Sequence, residues 1–321
     1  APAAAAGGQP PPEVPAAPSP RPGLLPAAAL PLRTRGRHVI DAAGRPVRLS
    51  CVNWYGAHLE QMVANGLNAR PVAAIAATVA DLGFNCVRLP FSLDVVLGNR
   101  TQVPEPDVWL AANPELQGLP PLAVFDAVAE ALTDAGLLVI LNNHISAGGW
   151  CCGFGDEEGL WYTGRYPEAA WLEALGLMAA RYRGNPRIVG FDLRNELRPS
   201  SHGVPTWGGG EPATDWAVAA AKGAERVLAE NGDMLIVVSG LHYCMFLCSV
   251  PEQPIHLLPA LRGRVVYTAH EYGGTNLHLL AHGLLGSYLR VLAACHGCLW
   301  LLLLLAAGYR ARPQQLPSAG S

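Results

Sequence analysis

Short apolar runs alternate along this chain with longer stretches in which apolar residues recur every three or four positions. The apolar runs cover residues 47–53, 84–92, 137–144, 188–195, 234–240 and 264–270. Each run ends in polar residues, which is typical of a buried parallel strand. Helical spacing covers residues 71–83, 122–136, 168–183 and 215–231, and a hairpin pattern over 38–50 precedes the first run. The alternation predicts an α/β fold in which helices join parallel strands.

The fourth apolar run carries the clearest candidate chemistry. It reads Ile-Val-Gly-Phe-Asp-Leu-Arg and ends in Asn195 and Glu196. In a barrel of alternating strands and helices, the carboxyl ends of the strands carry the catalytic groups. A carboxyl group at this position can act on a substrate, and the neighbouring amide can hold a hydroxyl. The alternative interpretation is that Glu196 is a solvated residue at the start of a helix.

Two other strands carry polar residues that need an explanation. Arg88 lies inside the apolar run 84–92, where a charge is costly unless it meets an anion. We therefore expect Arg88 either to serve an active-site carboxylate or to form a structural salt bridge in the barrel. His144 ends the third strand in register with Arg88 and Glu196, although a lone histidine is more often a core or surface residue.

Three of these motifs resemble glycoside hydrolase family 5, the cellulase and mannanase family. They are the Asn-Glu pair after the fourth strand, the strand Phe-Asn-Cys-Val-Arg-Leu-Pro-Phe-Ser over 84–92, and His-x-Tyr at 270–272 after the sixth strand. The resemblance covers residues 38–274 and implies a (β/α)8 TIM-barrel. It implies an O-glycosyl hydrolase that acts on a β-linked polysaccharide or glycoside by a retaining mechanism. It implies no metal and no organic cofactor.

The resemblance also assigns roles to individual side chains. Glu196 would protonate the departing glycosidic oxygen and then deprotonate the water, while Asn195 would bind the sugar 2-hydroxyl. Four more side chains would position and electrostatically tune the nucleophilic carboxylate: Arg88, His144, His270 and Tyr272. Trp150 and Trp207 lie in loops after strands, where their rings would stack on sugars or pack within the protein.

The family pattern stops before the barrel is complete. The chain provides about six strand–helix units where the fold needs eight, and the family nucleophile is a glutamate after the seventh strand. No Asp or Glu follows Glu271 in the sequence, and strand alternation turns Glu271 away from the cleft. We therefore expect the chain as written to hydrolyse glycosides poorly or not at all. The alternative is a catalytically inactive carbohydrate-binding or scaffold protein.

The chain divides into three segments by composition. Residues 1–35 are rich in Ala and Pro and are predicted to be a disordered leader without a recognisable signal peptide. Residues 36–276 would form the incomplete barrel, and residues 277–321 an apolar tail. Residues 291–308 are uncharged and reach the length of about 17 that a membrane-spanning helix requires. Three interpretations of the tail stay open: an aberrant chain end, a helix packed on the barrel, or a membrane anchor.

Charge and cysteine content limit the kinds of partner, metal site and cellular location that we expect. A net charge of −3 gives no electrostatic case for nucleic acid, and the family resemblance implies a carbohydrate substrate. The eight cysteines lack the spacing of a zinc site, so they are either disulfides in a secreted protein or buried thiols. We expect an extracellular or secretory location, with membrane association if 291–308 is an anchor. If disulfides form, we predict that Cys151 or Cys152 pairs with Cys244 or Cys248.

Overall fold

The computed structural model describes residues 23–153 and 156–271. The strands within this part are β1 Arg33–Arg35, β2 His38–Ile40, β3 Pro46–Val47, β4 Cys51–Asn53, β5 Cys86–Ser92, β6 Leu138–Ile145, β7 Ile188–Asp192, β8 Leu235–Ser239 and β9 Val265–Thr268. The helices are α1 Val72–Asp81, α2 Leu93–Leu97, α3 Pro106–Trp109, α4 Pro121–Asp134, α5 Glu168–Arg181, α6 Trp216–Glu230 and α7 Leu241–Cys244. Short 3-10 turns lie at Ala27–Ala29, Pro114–Leu116, Ile255–Leu257 and Pro259–Leu261.

Six parallel strands form one curled sheet whose order follows the chain, from β4 to β9. Because every strand runs in the same direction, all the carboxyl ends lie at one edge of the sheet. The predicted TIM-barrel type, incomplete and with about six strand–helix units, is confirmed. The antiparallel sheet β1-β2-β3 contains the predicted hairpin.

The four long helices, α1, α4, α5 and α6, each bury an apolar face. On α4 this face is Val124, Phe125, Val128 and Leu132, at the spacing that the sequence shows. Asp215 is the N-cap of helix α6, and its carboxylate accepts hydrogen bonds from the amides of the first turn.

Three buried tryptophans fix α5 and α6 beside the strand ends. Trp161 and Trp171 both pack against Trp216, with ring centroids 5.7 and 6.1 Å away. The indole of Trp171 donates to the carbonyl of Leu193, and that of Trp216 to the carbonyl of Ser239. Since Leu193 lies just after β7 and Ser239 ends β8, the aromatic cluster holds the two strand ends next to Glu196.

The predicted leader boundary at residue 35 is wrong for the part that the structure describes. Residues 33–35 form β1, and Leu32 is fully buried against Cys86 and Leu138 at the amino ends of the barrel strands. The leucines near the end of the predicted leader supply apolar surface that the Ala- and Pro-rich part lacks.

Residues 1–22 and the predicted tail, including 291–308, lie outside the described residues. Among the helices of the described part, none has the length and apolar character needed to cross a bilayer.

The predicted disulfide pairing is also wrong. Cys151 and Cys152 are bonded to each other, and a second disulfide joins Cys51 on β4 to Cys86 on β5. Cys244 is a buried free thiol whose sulfur donates to the carbonyl of Thr268 at 3.1 Å. Because Cys151 and Cys152 are bonded to each other, neither forms a disulfide with a cysteine in the loop after β8.

Candidate active site

A cleft of about 550 Å³ lies on the inner face of the curled sheet and opens at the carboxyl ends of its strands. Five of the predicted site residues line it: Arg88, His144, Asn195, Glu196 and His270. The structure therefore brings together the side chains that the strand ends predict. Tyr272 lies outside the described residues.

Glu196 is held at the cleft by its backbone as well as its side chain. It has a left-handed φ of 40°, four residues after β7 ends. The amide of Asn195 donates to Asn143 on β6, and the guanidinium of Arg198 donates to the Glu196 carbonyl at 3.0 Å. The Glu196 carboxylate Oε1 lies 2.8 Å from Nδ1 of His270. These contacts fix Glu196, whose side chain is 11% exposed and lines the cleft.

Arg88 joins two neighbours of Glu196. Its Nε donates to Asp192 Oδ2 at 2.8 Å, and its Nη2 donates to Asn195 Oδ1, also at 2.8 Å. Asp192 is almost fully buried on β7, and this burial raises its pKa despite the opposing effect of Arg88. Arg88 therefore forms the buried salt bridge that one interpretation predicts, and it also holds the Asn195 side chain. Its service to an active-site carboxylate stays a prediction.

His144 stacks on a second histidine that the sequence did not single out. The ring centroids of His58 and His144 are 4.2 Å apart, and Nδ1 of His144 lies 2.7 Å from the side-chain oxygen of Asn142. Burial, followed by the charge of Arg88, lowers the pKa of His58 to about 4. Burial and then the neighbouring His58 hold the pKa of His144 well below its usual range. Both rings are neutral at neutral pH, and His144 then has its proton on Nδ1, because the Asn142 oxygen can only accept.

His270 has the opposite ionisation. Burial alone would lower its pKa, but hydrogen bonds with Cys244 and Glu196 raise it to about 9. Its backbone amide donates to the carbonyl of Cys244 at 2.9 Å. A protonated imidazole therefore donates to the Glu196 carboxylate at neutral pH.

The backbone that supports His270 is unusual. Three successive residues of α7, His242, Tyr243 and Cys244, have left-handed φ values of 51°, 57° and 62°. Non-glycine residues rarely adopt this region, and such strain persists where the surroundings impose it. Here the amide of Tyr243 donates to the carbonyl of Leu197, so the turn after β8 is tied to the segment that carries Glu196.

Ion pairs anchor the loop beside the cleft, which the structure describes over residues 146–153 and 156–161. Arg194 is 1% exposed and binds the Glu158 carboxylate at 2.8 Å. Glu158 also accepts hydrogen bonds from the amides of Ser146 and Ala147. Farther along the chain, Arg198 pairs with Asp156. The loop is thus attached by one ion pair on each side of Asn195 and Glu196.

The two predicted aromatic residues have different surroundings. Trp150 is 73% exposed, and its ring lies 5.9 Å from that of Tyr55. Trp207 does not line the cleft; it packs against Tyr267, which does, at 6.0 Å between centroids. Its indole donates to the carbonyl of Gln253. A substrate-binding role for either tryptophan stays a prediction.

The predicted orientation of Glu271 is wrong. Glu271 is exposed and borders the cleft. Strand alternation gave the wrong side because β9 ends at Thr268, and the period of two does not extend past the strand.

Sequence reasoning missed Asp192, His58 and the Cys151–Cys152 pair as parts of the cleft region. Asp192 carried a usable signal, because a carboxylate inside an apolar strand needs a cation as much as Arg88 needs an anion. His58 and the two cysteines lie in irregular loops, where no periodicity predicts which way a side chain points.

Comparison with known families agrees with this geometry. The family model described as Cellulase (glycosyl hydrolase family 5) matches residues 40–282, which include every strand of the parallel sheet. The chain belongs to glycosyl hydrolase family 5.

Relatives of this family-5 chain include a glycosyl hydrolase 5 family protein from Chamaecyparis obtusa, 36% identical over 77% of this chain and 45% of the relative. An endoglucanase from Paenibacillus polymyxa is 31% identical over 75% of this chain and 59% of its own length. The major extracellular endoglucanase of Xanthomonas campestris is 38% identical over 64% of this chain and 40% of its own length. The chain spans about half the length of these relatives.

Solved structures share the fold of this family-5 chain. The catalytic domain of the Xanthomonas campestris endoglucanase superposes with a TM-score of 0.67 at 30% identity, covering 83% of this chain and 76% of that domain. An endocellulase from Pyrococcus horikoshii, in complex with cellotetraose, gives a TM-score of 0.67 at 26% identity over 77% of this chain and 70% of that one.

Proposed function

We propose that this family-5 chain is an endoglucanase-type glycoside hydrolase that acts on a β-linked glucan, with Glu196 as the acid/base. The observation that carries the proposal is the Glu196 carboxylate in the cleft, 2.8 Å from His270 and next to an Asn195 amide that Arg88 orients. The relatives named as endoglucanases and the neighbour that binds cellotetraose support a β-glucan as substrate. The disulfides and the extracellular relative support an extracellular location.

In this proposal the reaction follows the retaining course of the family. The proton that His270 and Glu196 share passes through Glu196 to the glycosidic oxygen as the bond to the anomeric carbon breaks, and Glu196 later removes a proton from the water that releases the sugar. Asn195 binds the 2-hydroxyl, where contacts strengthen as oxocarbenium charge develops. Arg88 and His144 shape the floor of the cleft, and His270 holds the Glu196 carboxylate in place.

The retaining course needs a second carboxylate about 5–5.5 Å from the first. Two described candidates border the cleft: Asp192, which Arg88 already neutralises, and Glu271 at the cleft edge. Residues 272–321 contain no Asp or Glu. Because general acid catalysis alone gives about 10²–10⁴-fold and enzymes exceed about 10⁶-fold, we expect weak turnover by this chain.

A second candidate function is carbohydrate binding without turnover. The same missing carboxylate favours it, since the cleft and the exposed Trp150 need no nucleophile to hold a glucan. The two candidates make the same prediction for binding and opposite predictions for catalysis.

The deciding experiment measures cellotetraose binding by calorimetry and hydrolysis of β-glucan, β-mannan and aryl β-glycosides. Wild type and Glu196→Gln are compared, and Glu173→Gln on the outer helix α5 is the control. For the hydrolase, we expect binding by all three proteins and residual hydrolysis that only Glu196→Gln abolishes. Binding with no hydrolysis by any protein would leave the binding function, and an absence of binding by wild type would contradict both.

A further inference from the structure

The disulfide between Cys151 and Cys152 lies in the cleft wall, although the proposed reaction does not use it. Both residues are partly exposed and line the same cleft as Glu196. Their sulfur atoms and a Glu196 carboxylate oxygen lie within 4.8 Å of one another. A sugar whose glycosidic oxygen reaches Glu196 therefore lies against the sulfurs.

The disulfide also completes the positioning of the Asn195 carboxamide. Asn195 Nδ2 lies 3.4 Å from Sγ of Cys151 and 3.5 Å from Sγ of Cys152, within the range of weak N–H···S hydrogen bonds. On the other side of the same group, Oδ1 accepts from Arg88. Because a cation holds the oxygen and the sulfurs receive the amino group, the amide has one orientation.

The loop presents the disulfide in a fixed place. On one side of the pair, the amide of Gly149 donates to the carbonyl of His58 at 3.0 Å. On the other side, the amide of Gly153 donates to Asp156 at 2.8 Å, which in turn pairs with Arg198. An element that is anchored before the ligand arrives loses little entropy when it binds.

The chemistry of the pair fits the apolar face of a sugar ring. A disulfide is uncharged and a weak acceptor, and binding sites combine such apolar surface with a few placed polar groups. Next to it along the chain, Trp150 forms an exposed aromatic pair with Tyr55. Soft-metal binding, which two thiolates and a carboxylate would favour, requires free thiolates, and here the sulfurs are bonded to each other.

We propose that the Cys151–Cys152 disulfide is a sugar-binding surface between the Tyr55–Trp150 pair and Glu196, and that it orients Asn195 toward the bound ring. The ligand class is a β-linked gluco-oligosaccharide long enough to extend from the aromatic pair to Glu196. This inference rests on the proposed function of the cleft.

The test measures cellotetraose affinity by calorimetry for wild type, Cys151→Ser/Cys152→Ser and Cys151→Ala/Cys152→Ala, with circular dichroism to establish folding. We expect both double variants to bind about tenfold more weakly, the loss expected when contacts of moderate strength are removed. In addition, a dithiol reductant converts the disulfide of wild type into two thiols and itself becomes a cyclic disulfide. Peptide mapping of alkylated cysteines shows that the pair has opened.

Reduction should weaken binding by wild type to the level of the double variants, and reoxidation should restore it. The Ser/Ser variant is the matched control, because the same reductant should leave its affinity unchanged. If wild type binds cellotetraose and neither the variants nor reduction at the pair changes the affinity, the inference is overturned and the proposed function stands. If wild type itself does not bind, the proposed function fails and the inference fails with it.

Discussion

At the scale of single residues, the cleft combines histidines of opposite ionisation. His270 is protonated because Glu196 and Cys244 bind its cationic form, whereas His58 and His144 are kept neutral by burial. A neutral ring suits a cleft floor that already contains Arg88, since another cation there would meet like charge. The protonated ring instead lies against Glu196, the carboxylate proposed as the acid/base.

The first prediction concerns the pH dependence of stability. The pKa of His270 is raised from 6.5 to about 9 on folding, so its contribution is fully present below pH 6.5 and is lost as the pH rises through about 9. The groups that face this imidazole are Glu196, Cys244, Arg88, His144 and Asp192. We expect the difference in unfolding free energy between wild type and His270→Gln to be largest near pH 6 and to shrink by pH 9, as measured by urea unfolding. A difference that is constant with pH would contradict the raised pKa.

Below neutral pH, the two buried histidines His58 and His144 are expected to change stability in the opposite direction. The pKa values of His58 and His144 are lowered on folding, so the unfolded chain binds more protons and stability falls as the pH drops below about 6.5. We expect His58→Gln to lose less stability than wild type between pH 6.5 and pH 4.5 in the same urea experiment. His38, an exposed histidine with no buried partner ring, provides the control substitution His38→Gln, which should follow wild type. Equal acid sensitivity of all three proteins would show that His58 is not kept neutral.

Arg88 should be important for stability as well as for the cleft. Arg88→Ala leaves the Asp192 carboxylate buried without its cation, and removing one partner of a buried pair costs about 3–5 kcal/mol. The matched control is Arg45→Ala, because the Arg45–Asp41 pair has an arginine that is 71% exposed and should contribute about 1 kcal/mol or less. Urea unfolding of both variants measures the loss in unfolding free energy that each substitution causes. Similar small losses would mean that Asp192 is protonated and does not need Arg88.

At the scale of elements, the loop that follows β6 is attached to the strand ends by hydrogen bonds and an ion pair. Glu158 accepts hydrogen bonds from two loop amides and pairs with the buried Arg194. Since Arg194 is two residues before Glu196, the loop and the segment that carries Glu196 are joined by one ion pair. The disulfide and the exposed Trp150 belong to the same loop, so its position sets the shape of the cleft.

This coupling gives a prediction with two adjacent glutamates. Glu158→Ala leaves Arg194 buried and unpaired, so we expect a loss of about 3–5 kcal/mol in unfolding free energy and weaker cellotetraose binding in the variant that remains folded. Glu157, whose side chain is 51% exposed, is the control, and Glu157→Ala should change stability by about 0.5 kcal/mol or less. Equal effects of the two substitutions on unfolding and on binding would show that the ion pair does not anchor the loop.

The elements themselves were largely predictable, and the connections between them were not. Strands such as β5 and β7 and helices such as α4 follow from apolar periodicity, which depends on neighbouring residues only. Their shared direction then places Arg88 and Glu196 in one cleft. The pairing of Cys151 with Cys152 and the side of Glu271 depend on the path of irregular backbone, which no period of two or 3.6 describes.

At the scale of the whole molecule, the parallel sheet ends at β4 on one side and β9 on the other. In a closed barrel these two strands pair with further strands, and no edge remains. Within the described residues the sheet is open, and its inner side chains, Val237 and Val266 among them, form the wall of the cleft. The open side is also where a family-5 nucleophile would enter, because the glutamate follows the seventh strand.

The last prediction tests whether closure restores catalysis. A chimera would keep residues 23–271 and continue with the seventh and eighth strand–helix units of a family-5 endoglucanase. These units would pair with β9 and β4 and would place a glutamate opposite Glu196, so that the covalent step and the anion facing the oxocarbenium charge both return. We expect β-glucan hydrolysis at ordinary enzyme rates by the chimera only, lost again on Glu196→Gln. The control is a chimera whose introduced nucleophile is replaced by Gln, which should fold and bind but not turn over. Hydrolysis at such rates by the unmodified chain, abolished by Glu271→Gln, would instead identify Glu271 as a nucleophile that has taken the place of the family residue.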